Sequence, residues 1–520
     1  MRYQAEPGDV DFITGDYLAE VNIAENAQAY AAGQHPGWEE TAWDGIQQTV
    51  EILAKKRIKV IVNGGAHNPK GLAEAVQELV TKKGLPLKVA YVLGDNLFDE
   101  VNDIREKGLP PHLDSDNSEV HYANHTLDLL EKGDKPIVSA NAYLGAREIV
   151  RGLEEGADII IAGRVADASP VIGAAWYWHS WAGTDYDHLA GALIAGHLIE
   201  CSGYVTGSNF AGFYEYPFED LYDIVFGIAE VEKDGSCIIT KHNAKKGFVT
   251  EDTVKCYDVK AILDDVQVRQ VGKDRVRVWG VKGAPPPPTT KLAIFYRAGY
   301  QSEIVVNATG YGTAEKWDLY EQMMKFGLKR RGILDKFDVL EFQRIGIPES
   351  NPKSQLRSTT YLRIFAETSD PNINLGLASQ MGEFAMQHFS ARLGDIVLAR
   401  SGDKGGNANV GFFIPTQLPS SYPPSSPLYA ESWNWLRSFL TIPKLKELMG
   451  EDWDPSHYIE RVEFPKIYAV HFVIYGILGR GVSGSSRLDG LGKGIGDWLR
   501  DRVVEVPVKF LEGRGKRYSS

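Results

Sequence analysis

Cysteine, clustered basic residues and long apolar runs are all scarce in this chain of 520 residues. Its three cysteines, Cys201, Cys237 and Cys256, lie far apart and form no CxxC pair, so neither a disulfide framework nor a structural zinc site is predicted. The longest uncharged stretch, residues 168–184, is interrupted by a proline and a histidine, and the N-terminus lacks an apolar core behind a basic start. We therefore expect a cytoplasmic protein without a membrane anchor.

Basic charge is also limited. The chain has 69 acidic and 56 basic side chains, a net charge of −13, and no run of lysine or arginine that would form a basic patch. Such a surface repels phosphate backbones and anionic lipid headgroups. Nucleic acids and membrane surfaces are therefore not expected as partners.

Glycine, in contrast, is abundant, with 53 residues in 520, about a tenth against an average near 7%. Segments 58–93 and 136–163 alternate apolar runs with amphipathic stretches that stop at glycines, which is typical of βαβ units and a parallel sheet. Shorter alternating segments follow from about Tyr214, and the last part resembles a small α+β unit with an antiparallel sheet. We predict an α/β fold: a mostly parallel-sheet N-terminal domain (1–388) with antiparallel additions, and a C-terminal α+β domain (389–520).

Two further segments are distinctive. The run GAPPPPTTK (283–291) predicts a stiff hinge or edge crossing, because consecutive prolines favour polyproline II. The segment PVIGAAWYWHSWAG (170–183) predicts a helix rich in tryptophan, which is more typical of a core or an interface than of a stacking platform.

Candidate site residues follow the predicted strands at 59–63, 87–93, 137–140 and 158–162, since parallel sheets bind ligands at the carboxyl ends of their strands. These residues include glycines, amides, carboxylates and one arginine. They are Asn63, Gly64, Gly65, Asn68, Asp95, Asn96, Asn141, Arg164, Asp167 and Ser169.

Within this set, two motifs suggest chemistry. In NGGAHNPKG (63–71), the amides of Gly64 and Gly65 can form an anion-binding nest that stabilises an enolate, or the loop is a plain turn capped by Asn68. The loop contains neither GxGxxG nor GxxxxGK[ST]. Arg164 can hold the acid group of a substrate while Asp167 serves as a base, or the two form an ordinary surface ion pair.

Segment HLIECSGYVTGSNFAGF (197–213) is a second dense polar turn. Glu200 is a candidate general base, and Thr206 and Asn209 stand among small residues that let a ligand approach closely. Cys201 is either a nucleophile or, as is more common for an isolated cysteine, a small buried residue.

The C-terminal domain contains a polar stretch of eleven residues, ARSGDKGGNAN (399–409), between two apolar strands. A hairpin needs only two to five loop residues, so we predict a long ligand-binding loop, with a solvated hairpin as the alternative. Asp403 and Lys404 are candidate acid–base groups, and Ser401, Asn407 and Asn409 candidate binding residues. A second Gly/Ser stretch at 476–490 is predicted to face this loop.

Taken together, these motifs resemble the acyclic terpene utilisation (AtuA-type) family. The residues that carry the resemblance are VDFITGDYLAEV, IVNGGAHNPKG, VAYVLGDN, ADIIIAGRVADASPVIGAA, HLIECSGYVTGSNFAG and GDIVLARSGDKGGNANVGFF. The resemblance implies an α/β N-terminal domain and a C-terminal domain of ferredoxin-like topology without an iron–sulfur cluster, since three scattered cysteines cannot supply four ligands.

Two departures from the family pattern stand out. Family members carry an additional strand and a Gly/Ser-rich loop ahead of VDFITGDYLAE, whereas this chain has nine residues there, so we expect one strand and one site loop to be missing through natural variation or truncation. His67 occupies a position that is more often apolar, and it marks either subtype chemistry or drift.

The resemblance implies a cofactor-independent lyase or hydratase that acts on a branched small acid or acyl-CoA in terpenoid or branched-chain acid metabolism. No metal or other cofactor is expected. The expected partner is a small anionic or acyl-CoA substrate, and the chain is expected to form a homo-oligomer. The alternative is a non-catalytic assembly or regulatory subunit that binds an acyl-CoA carboxylase or another enzyme, with the tryptophan-rich helix as its docking face.

Overall fold

The computed structural model describes residues 1–7, 9–109, 117–121, 136–243, 246–255, 262–308, 313–347, 360–379, 396–416, 422–450, 453–481, 483–485, 492, 495–500 and 504–510. Within them the chain forms one parallel sheet, several antiparallel sheets and surrounding helices, which confirms the predicted fold class. The predicted domain boundary at 388/389 lies outside the described residues.

A four-stranded parallel sheet of order β1-β2-β5-β3 organises the N-terminal part. Its central strands are almost wholly buried. Helices α3 and α4 cover one face with apolar residues three or four positions apart, such as Leu72, Val76 and Val80. The elements are α1 (Arg2–Ala5), β1 (Phe12–Gly15), α2 (Glu20–Ala31), α3 (Glu40–Lys56), β2 (Lys59–Val62), α4 (Pro69–Lys82), β3 (Val89–Val92), α5 (Val101–Glu106), β4 (Ile137–Ala142), α6 (Arg147–Glu154) and β5 (Ile159–Ala162).

Strand β4 was expected in the parallel sheet, and that expectation is wrong. It pairs antiparallel with β10 (Leu292–Tyr296), with Leu292 opposite Ala142. An apolar run indicates a buried strand but does not specify its partner. The end of β4 still lies beside the end of β3, because Asn96 and Asn141 form an isolated antiparallel bridge.

Among the described residues, the middle of the chain adds five helices and two antiparallel sheets, of order β6-β7-β9-β8 and β11-β13-β12. The 3₁₀ turns Tyr204–Thr206, Phe213–Glu215 and Phe218–Asp220 follow the second helix. The elements are α7 (Ser169–His179), α8 (Tyr186–Glu200), β6 (Ile228–Val231), β7 (Cys237–Thr240), α9 (Glu251–Val254), β8 (Gln267–Gly272), β9 (Arg275–Trp279), β11 (Tyr300–Ala308), α10 (Thr313–Arg330), β12 (Val339–Ile345), β13 (Thr360–Thr368) and α11 (Pro371–Ala378).

The C-terminal part is the predicted α+β unit, with an antiparallel sheet of order β14-β15-β17-β16. One face of the sheet packs against its own helices, since Val410, Phe412 and Phe472 share a core with Trp433 and Leu436. The elements are β14 (Leu398–Lys404), β15 (Asn407–Phe413), α12 (Pro427–Phe439), α13 (Ile442–Met449), β16 (Ile459–Phe464), β17 (Ala469–Ile474) and α14 (Ile495–Arg500).

The eleven-residue loop predicted at 399–409 does not exist. Strands β14 and β15 continue through this stretch and pair up to Lys404 opposite Asn407, which leaves a two-residue turn at Gly405 and Gly406. Gly405 has a φ of 61°, a conformation that tight hairpin turns need and glycine tolerates. The polar composition of this stretch predicts a loop, but polar side chains also occur in a buried strand when hydrogen bonds satisfy them.

The other face of this sheet packs against the first domain. Leu398, Phe413 and Ala469 belong to the same core as Ile194 and Leu198 of α8. Residues on alternate sides of a strand point to opposite faces, so the sheet is covered on both. The two parts therefore share a hydrophobic core.

A buried carboxylate joins the two parts. Asp252 of α9 is fully buried, and each of its oxygens accepts the backbone N–H of Thr416 at 2.9 Å, while the Thr416 hydroxyl donates to Oδ1 at 2.7 Å. Asp252→Ala would leave these donors without their acceptor. We expect it to lower the free energy of unfolding by about 2–4 kcal/mol, measured by urea denaturation.

Thr416→Val is the matched control for that change, because it removes only the hydroxyl contact and keeps the backbone donor. It should cost less than Asp252→Ala. Equal urea midpoints for Asp252→Ala and the wild-type chain would show that this contact does not stabilise the fold.

Across the parts of the chain that the structure describes, no helix combines the length and the hydropathy needed to cross a bilayer.

Candidate active site

The carboxyl ends of β1, β2 and β5 bring together Asp16, Asn63 and Arg164. Strands β1 and β2 are parallel neighbours, so the residues that follow them lie side by side. Asn63 is fully buried, accepts the backbone N–H of Tyr17 at 2.7 Å and donates from its amide to Asp16 Oδ1. The predicted binding residue Asn63 thus orients the Asp16 carboxylate.

Arg164 lies at the centre of this site, with 2% of its surface exposed. Its guanidinium donates to the Leu18 carbonyl and to Asp167 Oδ1, and its carbon Cζ lies 3.9 Å from the centroid of the Tyr143 ring. The surface-pair alternative is therefore wrong, because this arginine is buried. Its hydrogen bonds hold the loop after β1 and the Asp167 carboxylate in place.

Asp95 connects β3, β4 and β5. It is 2% exposed, and its Oδ2 accepts the Asn141 side-chain amide at 3.0 Å and the Arg164 backbone N–H at 2.8 Å. A Cβ at Gly163 would lie 2.4 Å from Asp95 Oδ1, so this close approach requires glycine. Burial raises the pKa of Asp95, and the two hydrogen bonds oppose the rise. Asp95 and Asn141 thus position the backbone beside Arg164.

Asp16 is the most perturbed carboxyl group of the site. Burial, together with the neighbouring Asp167 carboxylate, raises its pKa to about 7, while the Asn63 hydrogen bond and Arg164 oppose the rise; Glu200 adds a smaller increase. Asp16 is therefore within electrostatic reach of Asp167, Arg164 and Glu200. Carboxyl groups with pKa values near neutrality are typical of general acid–base sites.

A second polar group supports Arg164 from the other side. The Tyr143 hydroxyl donates to Glu20 Oε1 at 2.8 Å, and Lys291 Nζ donates to the same oxygen at 2.8 Å while lying 4.3 Å from the Tyr143 ring centroid. Burial alone would raise the pKa of Glu20, but the Lys291 ammonium outweighs it and holds that pKa at about 2. Burial also raises the pKa of the Tyr143 phenol, which therefore stays protonated.

The glycine loop after β2 has a structural role at most of its positions. The Gly65 N–H donates to the Ala162 carbonyl at 3.0 Å and so does not serve as an oxyanion donor, contrary to the nest prediction. A Cβ at Gly64 would lie 2.4 Å from Ala42 Cβ, which explains that glycine by packing. The predicted cap is confirmed, since Asn68 Oδ1 accepts the Gly71 N–H at 3.0 Å.

His67 and Asn96 also make local contacts. His67 Nε2 donates to the Ile23 carbonyl at 2.9 Å, its ring stacks on Tyr30, and burial lowers its pKa. Asn96 is exposed, and its Oδ1 accepts the Phe98 N–H at 3.0 Å. Both sets of contacts are those of turn and packing residues.

The predicted residues around Glu200 also make local contacts. Cys201 Sγ donates to Glu200 Oε1 at 3.3 Å. Thr206 is fully buried, with its hydroxyl donating to the carbonyls of Gly203 and Val225, so its side chain serves the turn. Asn209, the remaining predicted residue of this segment, is exposed with a φ of 54°. Ser169, predicted after β5, is buried at the first position of α7.

The polar residues of the C-terminal hairpin make contacts within their own domain. Ser401 Oγ accepts the Gly496 N–H at 2.9 Å, Asn407 Oδ1 accepts the Gly476 N–H at 2.8 Å, and Asn409 is buried. The Leu478 N–H donates to the Gly406 carbonyl at 2.9 Å, which confirms that the described part of the second glycine stretch faces the hairpin. Asp403 is half-buried and Lys404 exposed at the end of the hairpin.

One arginine of β14 reaches the first domain. The Cζ atom of Arg400 lies 4.5 Å from the centroid of the Tyr204 ring, in the 3₁₀ turn that follows Glu200. The hairpin therefore contacts the turn that follows Glu200.

Sequence reasoning missed Asp16, Tyr143, Glu20 and Lys291 as site residues. Asp16 directly follows β1, so the rule that identified Asn63 and Arg164 would have found it had residues 12–15 been recognised as a strand. Lys291 carries no such signal, because it lies 271 positions from Glu20. Among the described residues, no cluster of three or more His, Cys, Asp or Glu side chains is arranged to hold a metal ion.

Comparison with known proteins gives a consistent result. The model of the "acyclic terpene utilisation family protein AtuA" matches residues 1–406, and that of the "AtuA ferredoxin-like domain" matches residues 391–505. No curated protein and no solved structure matches the chain. Because the first match alone covers more than half of the 520 residues, the chain belongs to the AtuA family, which is implicated in acyclic terpene utilisation.

Proposed function

We propose that this protein is an acid–base enzyme, a hydro-lyase or carbon–carbon lyase that acts on a branched acyl substrate in terpenoid or branched-chain acid metabolism. The observation that carries the proposal is the grouping of Asp16 with the ion pair that the buried Arg164 forms with Asp167. Burial and Asp167 raise the pKa of Asp16 to about 7, and Glu200 adds a smaller increase. A carboxyl group of this kind exists in both protonation states at neutral pH and can therefore take and return a proton.

The three carboxyl groups have different environments, and this suggests different roles. Asp167 is paired with Arg164 and acts electrostatically on Asp16. Asp16 is held by Asn63 and removes the proton from the carbon next to the substrate carbonyl. Glu200 protonates the departing hydroxyl, which leaves as water and gives the unsaturated product; hydration is the reverse of these steps.

Cleavage of a carbon–carbon bond would use the same groups. Asp16 would remove the proton of a 3-hydroxyl, the bond between carbons 2 and 3 would break, and Glu200 would protonate the carbon that leaves as an enolate. In both reactions one carboxyl gains a proton and another loses one. Neither sequence of steps requires Arg164 to contact the substrate, which agrees with its burial and its protein partners.

The test is turnover in isotopically labelled water. Purified protein is incubated in D₂O with branched enoyl and 3-hydroxyacyl substrates, as free acids and as CoA thioesters, and products are read by mass spectrometry. We expect gain or loss of water, or cleavage, with solvent deuterium at the carbon next to the carbonyl. Absence of all three across these substrates would rule the proposal out.

The second candidate function, an assembly subunit, rests on the tryptophan-rich helix α7. Trp178 is 56% exposed, whereas Trp181 is buried and donates from its indole to the Lys233 carbonyl at 3.0 Å. Only one of these tryptophans therefore offers a docking surface. Full cellular function after Asp16→Asn, together with loss of function after Trp178→Ser, would favour this alternative.

A further inference from the structure

The polyproline segment, residues 283–291, is anchored at its first end to helix α8. Lys282 Nζ lies 2.7 Å from Asp187 Oδ2, and the Gly283 N–H donates to Asp187 Oδ1 at 2.9 Å. A Cβ at Gly283 would lie 2.0 Å from the Tyr186 carbonyl oxygen. The segment thus begins in close contact with the N-terminus of α8.

Its other end enters the candidate active site. The Tyr143 N–H donates to the Lys291 carbonyl at 2.9 Å, and the Thr290 hydroxyl donates to the Tyr143 carbonyl at 2.7 Å. The backbone on both sides of the Tyr143 ring is therefore tied to this end of the segment. Lys291 itself reaches Glu20 and the face of the ring.

The part between the two anchors is stiff. Four consecutive prolines occupy 285–288; each fixes φ, and together they favour polyproline II, which rises about 3.1 Å per residue. Eight residue steps can then span up to about 25 Å. The rise along α8 from Asp187, near its start, to Glu200 at its end is about 20 Å, so the two connections are of comparable length.

From Lys291 a chain of contacts leads to the carboxylates. Lys291 fixes Glu20 and Tyr143, the Tyr143 ring lies under the Arg164 guanidinium, and Arg164 holds Asp167. Glu20 is also the first residue of α2, four positions after Asp16. Both routes from Lys291 therefore end at groups that determine the surroundings of Asp16.

We propose that Lys291 is a positioning residue of the carboxylate site and that the stiff, doubly anchored polyproline segment delivers it there. Lys291 acts through Glu20 and Tyr143, which hold the Arg164 guanidinium against Asp167. The effect of Lys291 on catalysis rests on the proposed function, whereas its contacts with Glu20 and Tyr143 do not. The positioning role can therefore be tested without turnover.

The experiment measures how the melting temperature depends on pH, from about pH 4 to 9, for each chain and for the same chain carrying Asp16→Asn. The difference within each pair isolates the ionisation of Asp16, which faces Asp167, Glu200 and Arg164. The chains are wild type, Lys291→Met, Lys291→Arg, and a chain with glycine at 285–288. Lys70→Met is the matched control, because Lys70 forms an exposed pair with Glu74.

The difference in melting temperature within a pair levels off as pH rises through the folded pKa of Asp16, and we call that pH the midpoint. The wild-type, Lys70→Met and Lys291→Arg pairs should have the same midpoint. In Lys291→Met and in the glycine chain the midpoint should lie roughly 0.5–1 pH unit higher, because a loosened Arg164 opposes protonation of Asp16 less. Lys291→Arg should restore the wild-type position, since arginine keeps the charge.

Several results would overturn the inference. One is a wild-type midpoint in Lys291→Met, even if that chain melts lower at every pH, because a purely structural lysine would behave in this way. Another is failure of Lys291→Arg to restore the midpoint, and a third is a wild-type pair with no pH-dependent difference. If the midpoints shift as expected and no substrate is turned over, the positioning stands and the proposed function fails.

Discussion

Asp16→Asn is expected to lower turnover by about 10²- to 10⁴-fold while leaving the fold intact. Asparagine has the shape of aspartate, and its Oδ1 can still accept the Asn63 amide that now donates to Asp16. It cannot accept a proton from a substrate. Steady-state kinetics on the substrate identified by the labelling screen would measure the loss, and most of it should appear in kcat.

The same change has an effect on stability that depends on pH. The pKa of Asp16 is near 3.8 in an unfolded chain and about 7 in the folded protein, chiefly because of burial. A raised folded pKa contributes stability that is complete below about pH 4 and lost as pH rises through about 7. Asp16→Asn does not ionise, so above pH 7 it should be more stable than wild type.

The three-unit shift sets an upper limit of about 4 kcal/mol, and partial exposure of Asp16 reduces the expected gain to about 2 kcal/mol. Asp11→Asn, an exposed aspartate just before β1, is the control and should leave turnover and melting temperature unchanged. If Asp16→Asn retained full turnover, Asp16 would not be the base. If its stability followed the wild-type pH curve, the carboxyl would not be perturbed.

The second large effect is expected from Arg164→Met, which should reduce the free energy of unfolding by about 2–4 kcal/mol. The change deprives the Leu18 carbonyl and the Asp167 carboxylate of their donor, and the pair is buried on the arginine side. Asp167 is 39% exposed and can partly rehydrate, which keeps the cost below the upper limit for a buried pair. Urea denaturation would measure it.

Arg164→Met should also move the titration of Asp16 upwards, because Arg164 opposes the rise that burial and Asp167 impose on that pKa. Arg151→Met is the matched control, since Arg151 pairs with Glu155 on the exposed surface, where water screens such pairs and their loss changes stability little. If Arg164→Met and Arg151→Met lowered the free energy of unfolding equally, the contacts of Arg164 would not hold the site together. Arg164→Lys should lie between them, because a lysine keeps the charge without the planar donor set.

Local patterns predicted much of the fold correctly. The alternation around β2, α4 and β3 identified a βαβ unit, and Asn68 was recognised as a cap because its partner, Gly71, is three residues away. The strand-end rule also selected Asn63, Asp95, Asn141 and Arg164, which the structure brings together. These successes share a cause, since helix periods, caps and strand ends depend on neighbours in sequence.

The errors concern partners that are distant in sequence. The apolar run of β4 did not reveal its antiparallel pairing with β10. The polar residues of β14 and β15 have the composition of a loop, because the groups that satisfy them, such as Gly476 after β17 and Gly496 of α14, are distant in sequence. The sequence around Gly65 predicts an anion-binding amide, but that N–H donates to the Ala162 carbonyl. In each case the missing information was which distant group completes the hydrogen bond.

The sequence alone determined the family, the α/β class, the elements that carry the site and most of the polar residues at its strand ends. Only the tertiary structure decided that Arg164 is buried, that Asp16 has a perturbed carboxyl group, and that Lys291 contacts Glu20 and the Tyr143 ring. The physical reason is that burial and charge act through space, so the pKa of a carboxyl depends on neighbours the chain order does not reveal. The raised pKa of Asp16 comes first from burial and then from Asp167, which follows it by some 150 positions.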